Sequence, residues 1–325
     1  MKFGIIGVNF VSDFFMEGAK YEPECEVVAV CARTESTLKA FQEKYNIPNA
    51  FTDYKEMADM IDAVYIATPN AAHHEMAKYF LERKIPTFCE KPLASNDAEV
   101  KDLIETARKN DVYFHEGLVS LYGPNVKVVK ENLGLVGNLR QVNVNFSKYS
   151  SRYDAYLRGE NPTTFRADLS NGATMDLGVY AISDALALFG KPKKVYASGI
   201  LLETGVDALG TAIFTYDGFE VVIMHSKVTD TIMIPEIQGE DGNIYIDLLS
   251  RFNEVWFVDR KTKEKEMISK PWPEGMSWEI QDLIDNVKEG RIESKKVPHQ
   301  LSIDIHEIIT ECRRQMGVVY PADEK

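Results

Sequence analysis

In its first 120 residues the chain alternates short apolar runs with amphipathic stretches, and few architectures accept that rhythm. "KFGIIGV" leads into a helical pattern through Lys20, and "CEVVAVCA" into one from about Ser36 to Tyr45. "AF" after Pro48 is a short strand, followed by the helical "KEMADMI". "DAVYIAT", a helix around "HHEMAKYFLERK", "PTFCE", a helix around "DAEVKDLIETARKN" and "VYFHEGL" complete the series. Continuous Val/Ile/Ala runs suit strands buried on both faces, so the pattern predicts a doubly wound parallel sheet of the Rossmann α/β class.

The loop after the first strand, "GVNFVS", has glycine at only one of the three positions of a dinucleotide-binding turn. Gly7 supplies the tight turn, Asn9 is expected to keep the backbone path by tolerating positive φ, and Ser12 is small enough for close helix–strand packing. Phe10 and Val11 open the helix whose N-terminus would face the phosphates. A strand–loop–helix setting supports dinucleotide binding where the loop alone would not. At the end of the second strand "VCARTES" puts Arg33 where an NAD-binding chain carries a carboxylate. A guanidinium beside the hydroxyls of Thr34 and Ser36 suits a 2'-phosphate, which predicts NADP(H) over NAD(H).

Beyond residue 121 the rhythm changes. A helix is expected over 124–132, then the alternating "NLRQVNVNFSKY", a helix from Ala173 to Phe189, and strands at "KVYASGILLE", "LGTAIFTY", "FEVVIMHSKV", "MIPEIQGE", "GNIYIDL" and "NEVWFVD". Two amphipathic helices, near 278–287 and 301–316, close the chain. The division is a dinucleotide-binding domain over 1–121 and a substrate-binding α+β domain over 122–325, the latter a large open, mainly antiparallel sheet with helices on one face. Its uncovered face predicts a homodimer or larger assembly.

Composition removes several classes. A formal net charge of -13 argues against nucleic acid or an anionic membrane as the main partner. No apolar run is long enough to span a membrane, and the N-terminal run, broken by Asp13 and Glu17, reads as strand plus helix and not as a signal peptide. Four cysteines without paired spacing fit a reducing, cytoplasmic setting. His73 and His74 lack further ligands at metal-binding spacing, so no metal is expected.

"ATPN" (67–70), "EKP" (90–92) and "NGATMDLGVY" (171–180) together resemble the Gfo/Idh/MocA family over essentially the whole chain. The resemblance implies an NAD(P)-dependent oxidoreductase in which Glu90 and Lys91 belong to the cofactor site and Lys91 faces nicotinamide and substrate. It implies that Thr68, Pro69 and Asn70 meet the nicotinamide ribose and that His73 lies near cofactor or substrate. Asp176 and Tyr180 are implied to enter the same pocket, with tyrosine at 180 as in the glucose-fructose oxidoreductase and dimeric dihydrodiol dehydrogenase branch. Read from the residues, Asp176 and Tyr180 are i and i+4 on a helix and share a face, which Asp184 continues. Lys91 follows a buried strand, at the carboxyl edge where such sheets bind ligands.

The expected activity is hydride transfer between NADP(H), or NAD(H), and a hydroxyl or carbonyl carbon of a small polar substrate such as a sugar or polyol. Tyr180 is the expected proton donor, Lys91 the electrostatic stabiliser, and Asp176 the residue that orients Lys91 or a substrate hydroxyl. Dicarbonyl reduction or trans-dihydrodiol oxidation is the alternative enzyme reading, and a cofactor-binding regulator without turnover the alternative of another class. The polar, aromatic segment 147–166 offers Arg152, Tyr153 and Arg166 for substrate, or a subunit contact. His115 and Glu116 are read as pocket-lining or exposed loop residues.

Overall fold

The computed structural model describes residues 1–271 and 275–324. Chain contacts divide it into two compact units, Met1–Tyr122 with Pro273–Ser302, and Gly123–Trp272 with Ile303–Lys325.

The first unit holds a six-stranded parallel sheet: β1 (Lys2–Ile6), β2 (Glu26–Cys31), β3 (Asn49–Phe51), β4 (Ala63–Ile66), β5 (Thr87–Glu90) and β6 (Phe114–Gly117). Their spatial order is β3-β2-β1-β4-β5-β6. The chain therefore reverses direction across the sheet between β1 and β4, and ligands of such sheets bind outside the carboxyl ends at that point. The helices are α1 (Phe10–Ala19), α2 (Glu35–Tyr45), α3 (His73–Leu81) and α4 (Asp97–Asn110), followed by the single turn α5 (Val119–Tyr122). "KEMADMI" forms a 3₁₀ turn, Tyr54–Met60, instead of an α-helix. Every residue of β4 and β5 is buried, as strands covered on both faces require, and in β5 the buried set includes the polar Thr87 and Glu90.

The second unit carries α6 (Pro124–Asn132), β7 (Leu139–Ser147), α7 (Tyr153–Leu157), α8 (Val179–Phe189), and then β8 (Lys194–Leu201), β9 (Asp207–Thr215), β10 (Glu220–Ser226), β11 (Glu236–Gly239), β12 (Gly242–Ile246), β13 (Val255–Asp259) and β14 (Lys265–Met267). These strands form one eight-stranded sheet in the order β14-β13-β12-β11-β7-β10-β9-β8. Only β7 and β10 pair parallel. Strict alternation, as in β12 where Gly242, Ile244 and Ile246 are buried and Asn243 and Tyr245 are not, leaves one face to the core.

The final helices are α9 (Ser277–Lys288) and α10 (His299–Met316). Here the expected division at 121/122 differs from the observed units. The stripe Ile280, Leu283 and Ile284 of α9 is buried with Phe3, Phe15, Tyr65 and Phe88, so this helix belongs to the first unit's core. Chain order cannot show such a return. The expected helix over 173–189 also divides: Thr174–Gly178 is a π-helical turn and α8 follows it.

Candidate active site

Gly7, at the end of β1, has φ +97°, and a Cβ there would stand 2.2 Å from the Ala67 carbonyl oxygen. Only glycine fits that turn. Asn9 corrects the sequence reading: its φ is -159°, ordinary extended backbone, and it caps α1. Its Oδ1 accepts the Val11 N–H at 2.8 Å, while its side-chain amide donates to the Ala67 carbonyl at 2.7 Å. Ser12 is fully buried and donates its hydroxyl to the Gly7 carbonyl at 2.7 Å. Val11 is half-buried behind them. Phe10 is 73% exposed at the first position of the helix.

Two further loops leave the same edge of the sheet. After β4 come Thr68, Pro69 and Asn70, and after β5 comes Lys91, half-buried. His73, fully buried, ties them together: Nδ1 lies 2.9 Å from the Pro92 carbonyl and Nε2 2.8 Å from the Thr68 carbonyl. Burial lowers its pKa, against the pull of the two carbonyls. His73 thus positions the loops that flank the expected cofactor. Thr68 Oγ1 is buried with no hydrogen-bond partner among the described residues, an orphan that a bound ligand can satisfy. Glu90, by contrast, turns its carboxyl into the protein, where it accepts the Tyr65 hydroxyl at 2.7 Å. Burial pushes that carboxyl up to about 7.

At the end of β2, Arg33 and Thr34 are exposed. His115 and Glu116 correct the sequence reading, because both lie within β6 and are 2% and 1% exposed. His115 shares a hydrogen bond with the Tyr113 hydroxyl at 2.8 Å, and burial drives its pKa to about 3. Glu116 accepts the Leu93 N–H at 3.0 Å. Both hold the core.

In the second unit, Asp176 stands in the π-helical turn and Tyr180 in the first turn of α8. π-helical turns within helices recur at functional sites. The Tyr180 ring meets Phe146 edge-on at 5.5 Å, and Asp176 is ion-paired with Lys227, a residue that no sequence signal singled out. The segment after β7 contains α7, whose Tyr153 and Tyr156 rings stack at 5.8 Å and pack on Phe165. Arg166 is ion-paired with Asp168, and Arg152 is exposed. Among the described residues no three His, Cys, Asp or Glu side chains gather as a metal site, and no helix is long and apolar enough to cross a membrane.

A six-stranded sheet in this order, with a glycine turn after β1 and a lysine after β5, defines a dinucleotide-binding enzyme domain joined to an α+β partner. The chain belongs to the GFO/IDH/MocA oxidoreductases: residues 1–118 match the family's NAD-binding Rossmann fold and residues 132–245 its C-terminal domain. It is 41% identical to scyllo-inositol 2-dehydrogenase (NADP(+)) IolU of Bacillus subtilis, over 100% of this chain and 99% of that protein. It is 29% identical to trans-1,2-dihydrobenzene-1,2-diol dehydrogenase of Danio rerio, over 100% and 99% of the two chains. In fold it resembles KijD10, a 3-ketoreductase of Actinomadura kijaniata solved with NADP and TDP-benzene, with a TM-score of 0.83, 20% identity and coverage of 98% and 99%. The chain is thus an NAD(P)-dependent oxidoreductase.

Proposed function

We propose that this enzyme transfers hydride between NADP(H) and a ring hydroxyl or ketone of a polyol, with cyclitols such as scyllo-inositol as the first substrate class. One observation carries the reading: Gly7, Thr68 and Lys91 leave the carboxyl ends of β1, β4 and β5, neighbours at the sheet's reversal point. The 41% identity to an NADP(+)-dependent inositol dehydrogenase supports the substrate class and the cofactor.

The cofactor fits the residues present. Gly7 lets the backbone approach, the orphaned Thr68 hydroxyl offers a hydrogen bond, and the exposed Arg33 and Thr34 would hold the 2'-phosphate. When bound, the nicotinamide supplies or accepts the hydride. The chain's own residues manage the proton and the charge. An ordinary phenol has a pKa of about 10 and is protonated at neutral pH, so Tyr180 is ready to donate to a carbonyl oxygen in reduction. The Lys91 ammonium stabilises the negative charge that develops on that oxygen. The Asp176 carboxylate accepts a substrate hydroxyl, and Arg152 and Tyr153 offer polar and stacking contacts to a ring.

A second copy of the chain is proposed to cover the sheet face opposite α8. Ile213, Val222, Met224 and Tyr245 are half-exposed there.

Fluorescence titration with NADPH and NADH tests the cofactor, followed by turnover with scyllo-inositol, trans-dihydrodiols and dicarbonyls. NADPH should bind about 10- to 100-fold more tightly, as charged hydrogen bonds to one phosphate allow, and Arg33→Asp should reverse the preference. Unchanged selectivity in that variant would overturn the role of Arg33. Tight binding without turnover on any of the three classes would overturn the enzyme reading in favour of a regulator.

A further inference from the structure

The residues that support Asp176 come from the far end of β10, and they do so in register. His225 lies in β10, and Lys227, two residues on, stands at the bend that directly follows the strand. Thr174 and Asp176 are two apart in the π-helical turn. His225 Nε2 lies 2.8 Å from Thr174 Oγ1, and Lys227 pairs with Asp176. The result is two parallel rungs between one strand end and one turn.

Each rung is anchored below. The carboxylate of Asp207, on β9, accepts the Thr174 N–H at 2.6 Å and the Thr174 hydroxyl at 2.7 Å. Asp207 and His225 are 0% and 3% exposed. The Lys227 backbone is clamped on both sides, its N–H on the Ala208 carbonyl at 2.9 Å and its carbonyl under the Ser150 N–H at 2.8 Å. The Lys227 side chain is 6% exposed, whereas that of Asp176 is 41% exposed. A buried ammonium thus reaches outward to a carboxylate that solvent, or a substrate, can touch. A lysine is seldom buried so deeply without a partner that repays its desolvation.

Resting on the polyol reading above, we propose that Lys227 is a positioning residue for the reaction. It fixes the Asp176 carboxylate in its ionised form and in one direction, so that Asp176 accepts a substrate hydroxyl instead of competing for the proton that Tyr180 carries. Among the described residues, the charged and titratable groups near the turn include Lys227 and His225 from the β10 end, Asp207 from β9, Tyr180 from α8, and Cys312 of α10 and Tyr320 close to Asp207; at that end β7 offers Phe146 and Ser147, neither of them charged.

The test is Lys227→Met, Lys227→Arg and Asp176→Asn, alone and combined, in the full-length enzyme with cofactor and scyllo-inositol. Lys227→Met should lower kcat/KM about 10- to 100-fold, mainly through KM for the polyol, with the KM for cofactor unchanged. Lys227→Arg should recover most of the loss. In the Asp176→Asn background Lys227→Met should add little, because the pair acts as one unit. Independently of turnover, a carboxyl-carbon NMR titration of the cofactor-free protein, assigned by loss of a signal in Asp176→Asn, should show the Asp176 midpoint rising by about 1 to 3 pH units in Lys227→Met. Additive losses, or an unmoved carboxyl titration, would overturn the role of Lys227. Wild-type protein inactive on every polyol would instead overturn the functional reading while the NMR titration still decided the pairing. If Lys227→Met fails to fold by circular dichroism, Lys227→Gln replaces it in both measurements.

Discussion

Glu90 gives a prediction that the structure quantifies. It precedes Lys91, ends a fully buried strand, and holds its carboxyl against the Tyr65 hydroxyl at 2.7 Å and the Lys91 N–H at 3.3 Å. Burial is the largest influence and raises its pKa; Tyr65 and Lys91 pull it down, and Glu116 raises it again, leaving about 7 against an ordinary 4.5. The unfolded chain therefore releases this proton near 4.5 and the folded chain near 7. Between those values the folded state binds more protons, so its stability falls as pH rises. A gap of about 2.5 pH units at 1.36 kcal/mol each corresponds to about 3 kcal/mol, fully present below pH 4.5 and lost above pH 7. Glu90→Gln keeps a carbonyl for Tyr65 and cannot titrate. Urea unfolding of both proteins from pH 5 to 8 isolates this group, since the other titrating residues cancel in the difference. The variant should gain about 2 to 3 kcal/mol on the wild type across that range. Curves that stay parallel within about 0.5 kcal/mol would show that the carboxyl is not held neutral by burial, and the reasoning would fall.

Tyr180→Phe should lower turnover by about 10² to 10⁴ while leaving NADPH affinity within a few-fold, and Lys91→Met should abolish turnover; steady-state kinetics beside fluorescence titration checks both, and near-native rates would remove the assigned roles. Sedimentation at micromolar concentration should give a dimer or a multiple of it. Replacing Met224 and Val222 by lysine should yield a monomer that still binds cofactor, whereas a wild-type monomer would refute the covered face.

The parallel sheet was legible because its central strands β1, β2 and β4 are written as apolar runs, as burial on both faces demands, and amphipathic stretches alternate with them. The position of Lys91 was legible because it directly follows β5, and the residue after a strand of a parallel doubly wound sheet stands at its carboxyl edge. Segments held by tertiary contacts were not legible. α7 is five residues long and stands on the stack of Tyr153, Tyr156 and Phe165, while β14, with three residues, has pairing to β13 as its support. The π-helical turn escaped periodicity because its anchors, Asp207 and His225, lie 33 and 51 residues from Thr174. Lys227 escaped for a related reason. In sequence it is one more lysine at a strand end, and its burial becomes visible only when β10 meets the turn.

The loop "GVNFVS" shows what its missing glycines had to do. A glycine at position 9 is needed where the backbone enters the left-handed region, but here that residue is extended, so a side chain carries no conformational cost. Asn9 uses the freedom to cap α1 and to hold the Ala67 carbonyl, the same oxygen that a Cβ on Gly7 would strike. Ser12, in place of the third glycine, ties its hydroxyl to the Gly7 carbonyl. The two substitutions form one device: side-chain hydrogen bonds from both fasten the loop to the ends of β1 and β4, and the demand for a bare backbone contracts to Gly7. The N–H groups of Asn9 and Phe10 donate to no protein acceptor among the described residues, so capping by Asn9 still leaves donors for an anion at the start of α1. A phosphate-binding turn is therefore recognised by where a Cβ cannot go and by which N–H groups remain free, and a count of its glycines is a poor substitute for either.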